Sequence, residues 1–326
     1  MSSERDYSLI SVAGSYHTGS SALLDLLCGY SGLHVIRGEF SPFERGLFPL
    51  LRELHAGRPV AQQELDRIER EVLAYERESR LGYWLLSRGT RVARHFLPAR
   101  LRDSAWLKRH DRLSGISDFH RLMPAYAEAT SEFFRRLSKM NRRLMRGRRL
   151  KRSRLRRALR TWFDELFDLP EDVLPVVDQL IKPRTVALSR LFPFARIFIV
   201  TRDPRDQFCD IVNTPMTQPR YRGRDRVHRF LEDYQRRYRR EEKIFARERS
   251  NVMRVAFEDL VTAPETTRGQ VECFLGMEGQ WNPESSRLKP EESRQRVGMF
   301  VEHSDPSEIQ EIERVLAFRL YPGLSY

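Results

Sequence analysis

The residues with the clearest chemical potential lie in one short loop. Between the apolar run Leu9–Ala13 and a helical stretch beginning near Ser20, the chain reads "GSYHTGSS", residues 14–21. Gly14 and Gly19 are separated by four residues, the spacing of a nucleotide phosphate loop. Glycines there let backbone N–H groups at a helix N-terminus approach an anion. The nucleotide-hydrolysing motif continues with Lys and Ser/Thr, the lysine reaching the terminal phosphates and the hydroxyl holding magnesium. Here those positions are Ser20 and Ser21, so metal-assisted cleavage of ATP or GTP is not expected. The hydroxyls of Thr18, Ser20 and Ser21 and the imidazole of His17 remain as groups for an anion. The other reading of these residues is a tight strand-to-helix turn capped by serine.

A second group sits far along the chain, in "FPFARIFIVTRDPRDQFCDIV". The buried run Arg196–Thr201 delivers Arg202 to the carboxyl edge of a sheet, where open α/β sheets bind ligands. A guanidinium there can fork onto a phosphate. The alternative is an arginine paired structurally with Asp203 or Asp206.

Parallel α/β architecture would position both groups. Buried strands are predicted at Leu9–Ala13, Leu33–Ile36, Arg196–Thr201 and Val252–Ala256. A weaker candidate is Leu174–Ile181, where Pro175 counts against the first half. The helix after the first strand should run from about Ser20 to Cys28, with Gly29 as its stop. Residues 50–170 read as a helical insertion within a single domain spanning 1–326. Its apolar faces are Leu65, Ile68, Val72 and Tyr75; Phe133, Leu137, Met140 and Leu144; and, after a break at Gly147, Leu155, Leu159, Trp162 and Leu166.

Composition narrows the function classes. No apolar run approaches the ~20 residues of a membrane-spanning helix, and charged residues lead directly into the first strand, so no signal peptide is expected. Cys28, Cys209 and Cys273 are far apart and lack CxxC spacing, which points to a reduced, cytoplasmic chain without a zinc site. The net charge of +13 has one source: residues 135–160 hold fourteen Lys/Arg and no Asp/Glu, leaving −1 for the rest. Such a segment fits an anionic glycan, an anionic membrane surface or, least well, nucleic acid, since no aromatic residue interleaves with the arginines. A solvated charged face is the alternative.

Taken in order, these stretches resemble the sulfotransferase family that uses 3′-phosphoadenosine 5′-phosphosulfate (PAPS), in its carbohydrate-modifying, heparan-type branch and bacterial-like form. "YHTGSSALLDLL" resembles the 5′-phosphosulfate loop, and "RIFIVTRDPRD" the strand and turn that hold the 3′-phosphate. "VMRVAFEDLVTAPETTRGQVECFLGM" is similar to a later block of the family. The tail from Ser293 resembles its closing segment, where basic residues near a glycine, here Arg294 and Arg296, approach the 3′-phosphate. The resemblance implies a nucleotide-kinase-like fold with about five parallel strands, PAPS as co-substrate and no metal. It also implies transfer of a sulfuryl group to a hydroxyl or amine. The acceptor it implies is a glycan or a lipid-linked glycan.

Two positions depart from the pattern. His17 stands where the family carries Lys or Arg, and Asp210 where it carries serine. Neutral imidazole offers one donor in place of a fixed charge. Asp210 either faces the 3′-phosphate and repels it, or turns away to pair with a neighbour such as Arg205. By resemblance, Glu39 in "HVIRGEFSPFERGL" is the first candidate for general base, with Glu44 behind it; a helix-capping role for Glu39 is the alternative. Lys182 in "LIKPR" resembles a lysine near the sulfuryl group, a solvated lysine being the alternative, and His17 either donates to the leaving phosphate or orients the loop. Two rival functions stay open: a nucleotide-dependent phosphotransferase, and a non-catalytic protein that kept the fold.

Overall fold

The computed structural model describes residues 7–14, 17–37, 46–74, 123–182, 186–214, 221–245 and 250–324. Five strands form one parallel sheet: β1 (Leu9–Gly14), β2 (Leu33–Ile36), β3 (Leu174–Asp178), β4 (Ala195–Thr201) and β5 (Val252–Ala256), in the order β2-β3-β1-β4-β5. The sheet is thus the predicted one. β1 is buried along its whole length, as expected of an apolar strand with neighbours on both sides. β4 pairs with β5 in parallel, Ile197 opposite Val252 and Thr201 opposite Ala256. β3 is shorter than its apolar run: it stops at Asp178, and Gln179 adopts a positive φ of 58°. Pro175 is accommodated at the second residue of that strand.

The chain after β1 crosses two places to β2, while β4 lies on the other side of β1. β1 and β4 therefore flank the point where the strand order reverses. Ligands of open parallel sheets bind beyond the carboxyl ends of such a pair.

By chain contacts the protein forms two compact units. The first holds Met1–Ile10, His34–Leu180 and Arg190–Ala195. Its helices are α2 (Leu47–His55), α3 (residues 62–74), α4 (Tyr126–Met145) and α5 (Arg152–Leu166); α1 (Ser20–Leu27) belongs to the second unit. α4 and α5 make a helical hairpin whose inner faces meet through Phe133 stacked on Trp162 at 4.5 Å. Trp162 donates from its indole to Thr130 (3.2 Å). The expected break at Gly147 is present: Gly147 N–H donates to Leu144 O and Arg148 N–H to Arg143 O, which closes α4 as a Schellman motif. The inner face of α4 differs from prediction at one turn. Asn141 is buried and Met140 only half-buried, because the Asn141 amide bonds both backbone groups of Val60 (2.9 and 2.7 Å). Tyr75 lies outside the described residues.

The second unit holds Ser11–Leu33, Ile181–Ser189 and Arg196–Tyr326. Its core gathers Phe208 of α6 (Pro204–Asn213), Phe230 and Tyr234 of α7 (Arg226–Phe245), Phe300, and Ile309 and Ile312 near the C-terminus. Among the described residues no helix is long and apolar enough to cross a membrane.

Candidate functional site

The loop after β1 is shaped by two glycines. A side chain at Gly14 would meet Thr18 Oγ1 at 2.0 Å, so the loop folds back onto the strand end. Gly19 has φ 79°, and a Cβ there would lie 2.3 Å from the Phe257 ring. His17 shares the left-handed conformation at φ 57°, which is unusual for a residue with a side chain. α1 starts at Ser20 with Gly19 as its N-cap. A glycine contributes no side chain to the first turn, so the capping serine of the simpler reading is not at the cap. Thr18 is buried, Ser20 half-buried and Ser21 exposed.

The turn after β4 is fixed by its own sequence. Asp203 caps α6, accepting from Arg205 N–H, and Pro204 takes the first helical position, where no N–H is needed. Asp203 also accepts from the Arg205 guanidinium at 3.0 and 2.9 Å and from Tyr321 N–H at 2.9 Å. Arg205 reaches Glu313 and Leu324 O, and lies 3.8 Å over the Phe300 ring. Asp203 and Arg205 thus anchor the C-terminal segment. Asp206 accepts from Gly298 N–H (2.7 Å) and Phe300 N–H (3.2 Å), holding the tail at the same place.

Arg202 pairs with neither Asp203 nor Asp206. Its guanidinium donates to Asp210 (2.8 Å), to His17 O (3.1 Å) and to Arg296 O (2.5 Å). It sits 5.0 Å above the Phe257 ring, and its side chain is 1% exposed. Four stretches distant in sequence, the loop, the β4 end, the turn after β5 and the tail, therefore meet at one arginine.

Asp210 is not turned to Arg205. It contacts His17 Nδ1 at 3.3 Å and Arg296 at 3.6 Å besides Arg202. The two departures from the family pattern, His17 and Asp210, touch each other. Burial pushes the Asp210 carboxyl up, but the hydrogen bond from His17 and the charge of Arg202 outweigh it and hold it at about 2. Glu258, next to Phe257, behaves in the opposite way: burial raises it to about 7, although it accepts from Asp203 N–H at 2.7 Å.

The other sequence candidates divide. Lys182 follows Ile181, whose N–H donates to Ser11 Oγ in the middle of β1 at 3.1 Å. Arg294 is exposed and donates to Thr262 O at 3.3 Å. Glu39 and Glu44 lie outside the described residues. The sequence gives no sign of the roles of Phe257 and Glu258, whose contacts are made only in three dimensions, and Asp206, a candidate partner of Arg202 on sequence, instead holds the tail. Behind Arg202 a cavity of about 20 Å³ is lined by Thr18, Gln207, Tyr234, Glu241 and Arg319, room for one water-sized occupant. Among the described residues no cluster has the composition of a metal site.

Residues 10–283 match the model of the sulfotransferase family. No curated protein matches the chain. Among solved structures, the chain is similar to a sulfotransferase domain from the olefin synthase of Synechococcus PCC 7002. That similarity has 13% identity, 98% of each chain covered and a TM-score of 0.41. With most of its length inside the family match, from the strand that leads into the anion loop to a point beyond the turn after β5, this chain belongs to the sulfotransferase family.

Proposed function

We propose that the protein transfers a sulfuryl group from PAPS to a hydroxyl or amine of an acceptor, a glycan or lipid-linked glycan being the class favoured by the sequence resemblance. The observation that supports it best is the convergence of His17, Arg202, Phe257 and Arg296 at the carboxyl ends of β1 and β4. A loop without the phosphate-loop lysine suits a donor whose cleaved bond is S–O and whose reaction needs no metal.

The donor-binding residues are His17, Thr18, Gly19, Ser20 and Ser21 for the 5′ side. Arg202, Asp210, Arg294 and Arg296 frame the 3′-phosphate. PAPS supplies an activated sulfuryl group on a phosphate that leaves as adenosine 3′,5′-bisphosphate. The acceptor O–H or N–H gives its proton to Glu39 as its oxygen or nitrogen bonds to sulfur, and the sulfur–phosphate oxygen bond breaks with its electrons on the phosphate. Lys182 and the loop N–H groups stabilise the negative charge that grows there. His17, whose Nδ1 lies 3.3 Å from Asp210, lends a hydrogen bond to the same phosphate.

Transfer of radiolabelled sulfuryl groups from PAPS to panels of hydroxyl- and amine-bearing oligosaccharides, in the presence of a chelator, tests this reading. Labelled product without divalent metal is the expected result. A requirement for magnesium with ATP as the active donor would instead make the protein a phosphotransferase. One observation favours a second reading, a non-catalytic binding protein: the Asp210 carboxylate already occupies Arg202. Nucleotide binding without label transfer to any acceptor would mark that outcome.

A further inference from the structure

The hairpin of α4 and α5 carries charge that its own structure does not neutralise. At its base the cations are paired: Arg135 and Arg136 with Glu132, Arg136 also with Glu165, and Arg160 with Asp164. Toward the tip the pairing stops. From Phe133 to Phe163 the sequence has no Asp or Glu. Among the described residues, no ion pair involves a cation between Lys139 and Arg157, and all of these cations except Arg156 are exposed. Their field is felt inside the unit. His55 is held at about 4, first by burial and then by Arg190, Arg152 and Arg156.

The tip also exposes apolar surface. Met145, in the last turn of α4, is 58% exposed, and Leu150 in the connection is half-buried. They lie among Arg146, Arg148, Arg149 and Lys151. An exposed helical turn with an apolar centre and a cationic surround matches a flat anionic interface, where basic side chains meet headgroups and the apolar group enters the acyl boundary. It does not match a nucleic acid. Residues 135–160 include no aromatic residue for base stacking, and Asn141, which could read a base edge, is buried against Val60. The same lack of aromatic platforms weighs against a sugar chain.

We propose that the tip of this hairpin, Met145–Arg154, docks the protein on anionic lipid bilayers. The proposal rests on residues of the first unit alone, so it stands whether or not the sulfotransferase reading does.

The test is co-sedimentation of the full-length protein with vesicles of phosphatidylcholine alone or with added phosphatidylserine, at low and high salt. Binding to the anionic vesicles alone is expected, weakening steeply with salt as the Debye length shrinks from ~10 Å at 0.1 M to ~3 Å at 1 M. Replacing Arg148, Arg149, Lys151 and Arg152 together with Ser should reduce vesicle affinity by about a hundredfold or more, given the contribution typical of each basic residue at an anionic surface. Met145→Ser should cause a smaller loss. All five side chains are exposed, so unchanged melting temperatures are expected and confirm that folding is intact. Absence of binding to anionic vesicles, equal binding to neutral ones, or retention of affinity in the quadruple variant would overturn the proposal. So would tight binding of the tip to duplex DNA or a sulfated glycan with no vesicle binding.

Discussion

Asp210 carries the most direct prediction at the scale of single residues. Its carboxylate lies 2.8 Å from Arg202, the group a donor phosphate would use. It therefore stabilises the free protein while competing with the ligand. Asp210→Ser should lower stability: a carboxyl held at about 2 instead of its ordinary 3.8 contributes on the order of 2 kcal/mol at neutral pH. That contribution is present above pH 3.8 and lost as pH falls through 2. The same substitution leaves Arg202 needing a counter-charge, so adenosine 3′,5′-bisphosphate should bind about tenfold more tightly, read by calorimetry. Weaker binding would show instead that Asp210 organises Arg202 and His17 for the phosphate. Glu39 has a separate test. Glu39→Gln should lower turnover by ~10²–10⁴-fold while leaving bisphosphate affinity unchanged. Full turnover in that variant would make Glu39 structural and turn attention to Glu44.

Elements show what the sequence could and could not reveal. The five strands and the break at Gly147 were legible because apolar runs and glycine report directly on burial and chain reversal. The end of β3 was not: the run continues through Leu180 and Ile181, which are buried outside the strand. Arg202 was legible as a strand-end arginine, but its partner lies eight residues on, within α6, and "RDPRDQFCD" gives no way to choose among its three aspartates. The structure assigns them distinct tasks: Asp203 to Arg205, Asp206 to the tail, and Asp210 to Arg202 and His17. Glu258 gives this region a pH signature. Its carboxyl, raised from 4.5 to about 7, binds a proton in the folded state that the unfolded chain has lost. Stability should therefore be fully supported below pH 4.5 and decline as pH rises towards 7, by on the order of 3 kcal/mol from this group. Urea unfolding across that range should show a shallower decline for Glu258→Gln, whose amide oxygen can still accept from Asp203. Identical pH profiles would mean that Glu258 is not protonated in the fold.

At the scale of the whole molecule, basicity and the proposed nucleotide site separate by segment. The surplus of charge belongs to residues 135–160, while the anion loop and the strand-end arginine draw on a chain whose remainder is near neutral. The proposed donor site would therefore select its ligand by local geometry: backbone N–H groups at α1, one buried guanidinium, and the exposed Arg296 beside Asp210. That design favours a nucleotide with phosphates at both the 3′ and 5′ positions over one with a diphosphate at the 5′ position alone, and it does so without magnesium. A charge-assisted contact to the additional phosphate is worth on the order of 1.5–3 kcal/mol, which corresponds to a tenfold preference or more. Calorimetric titration with adenosine 3′,5′-bisphosphate and with ADP, each in the presence of a chelator, measures this preference directly. Binding of the bisphosphate at least tenfold more tightly than ADP is the result predicted; equal affinities, or ADP binding that appears only with magnesium, would contradict it.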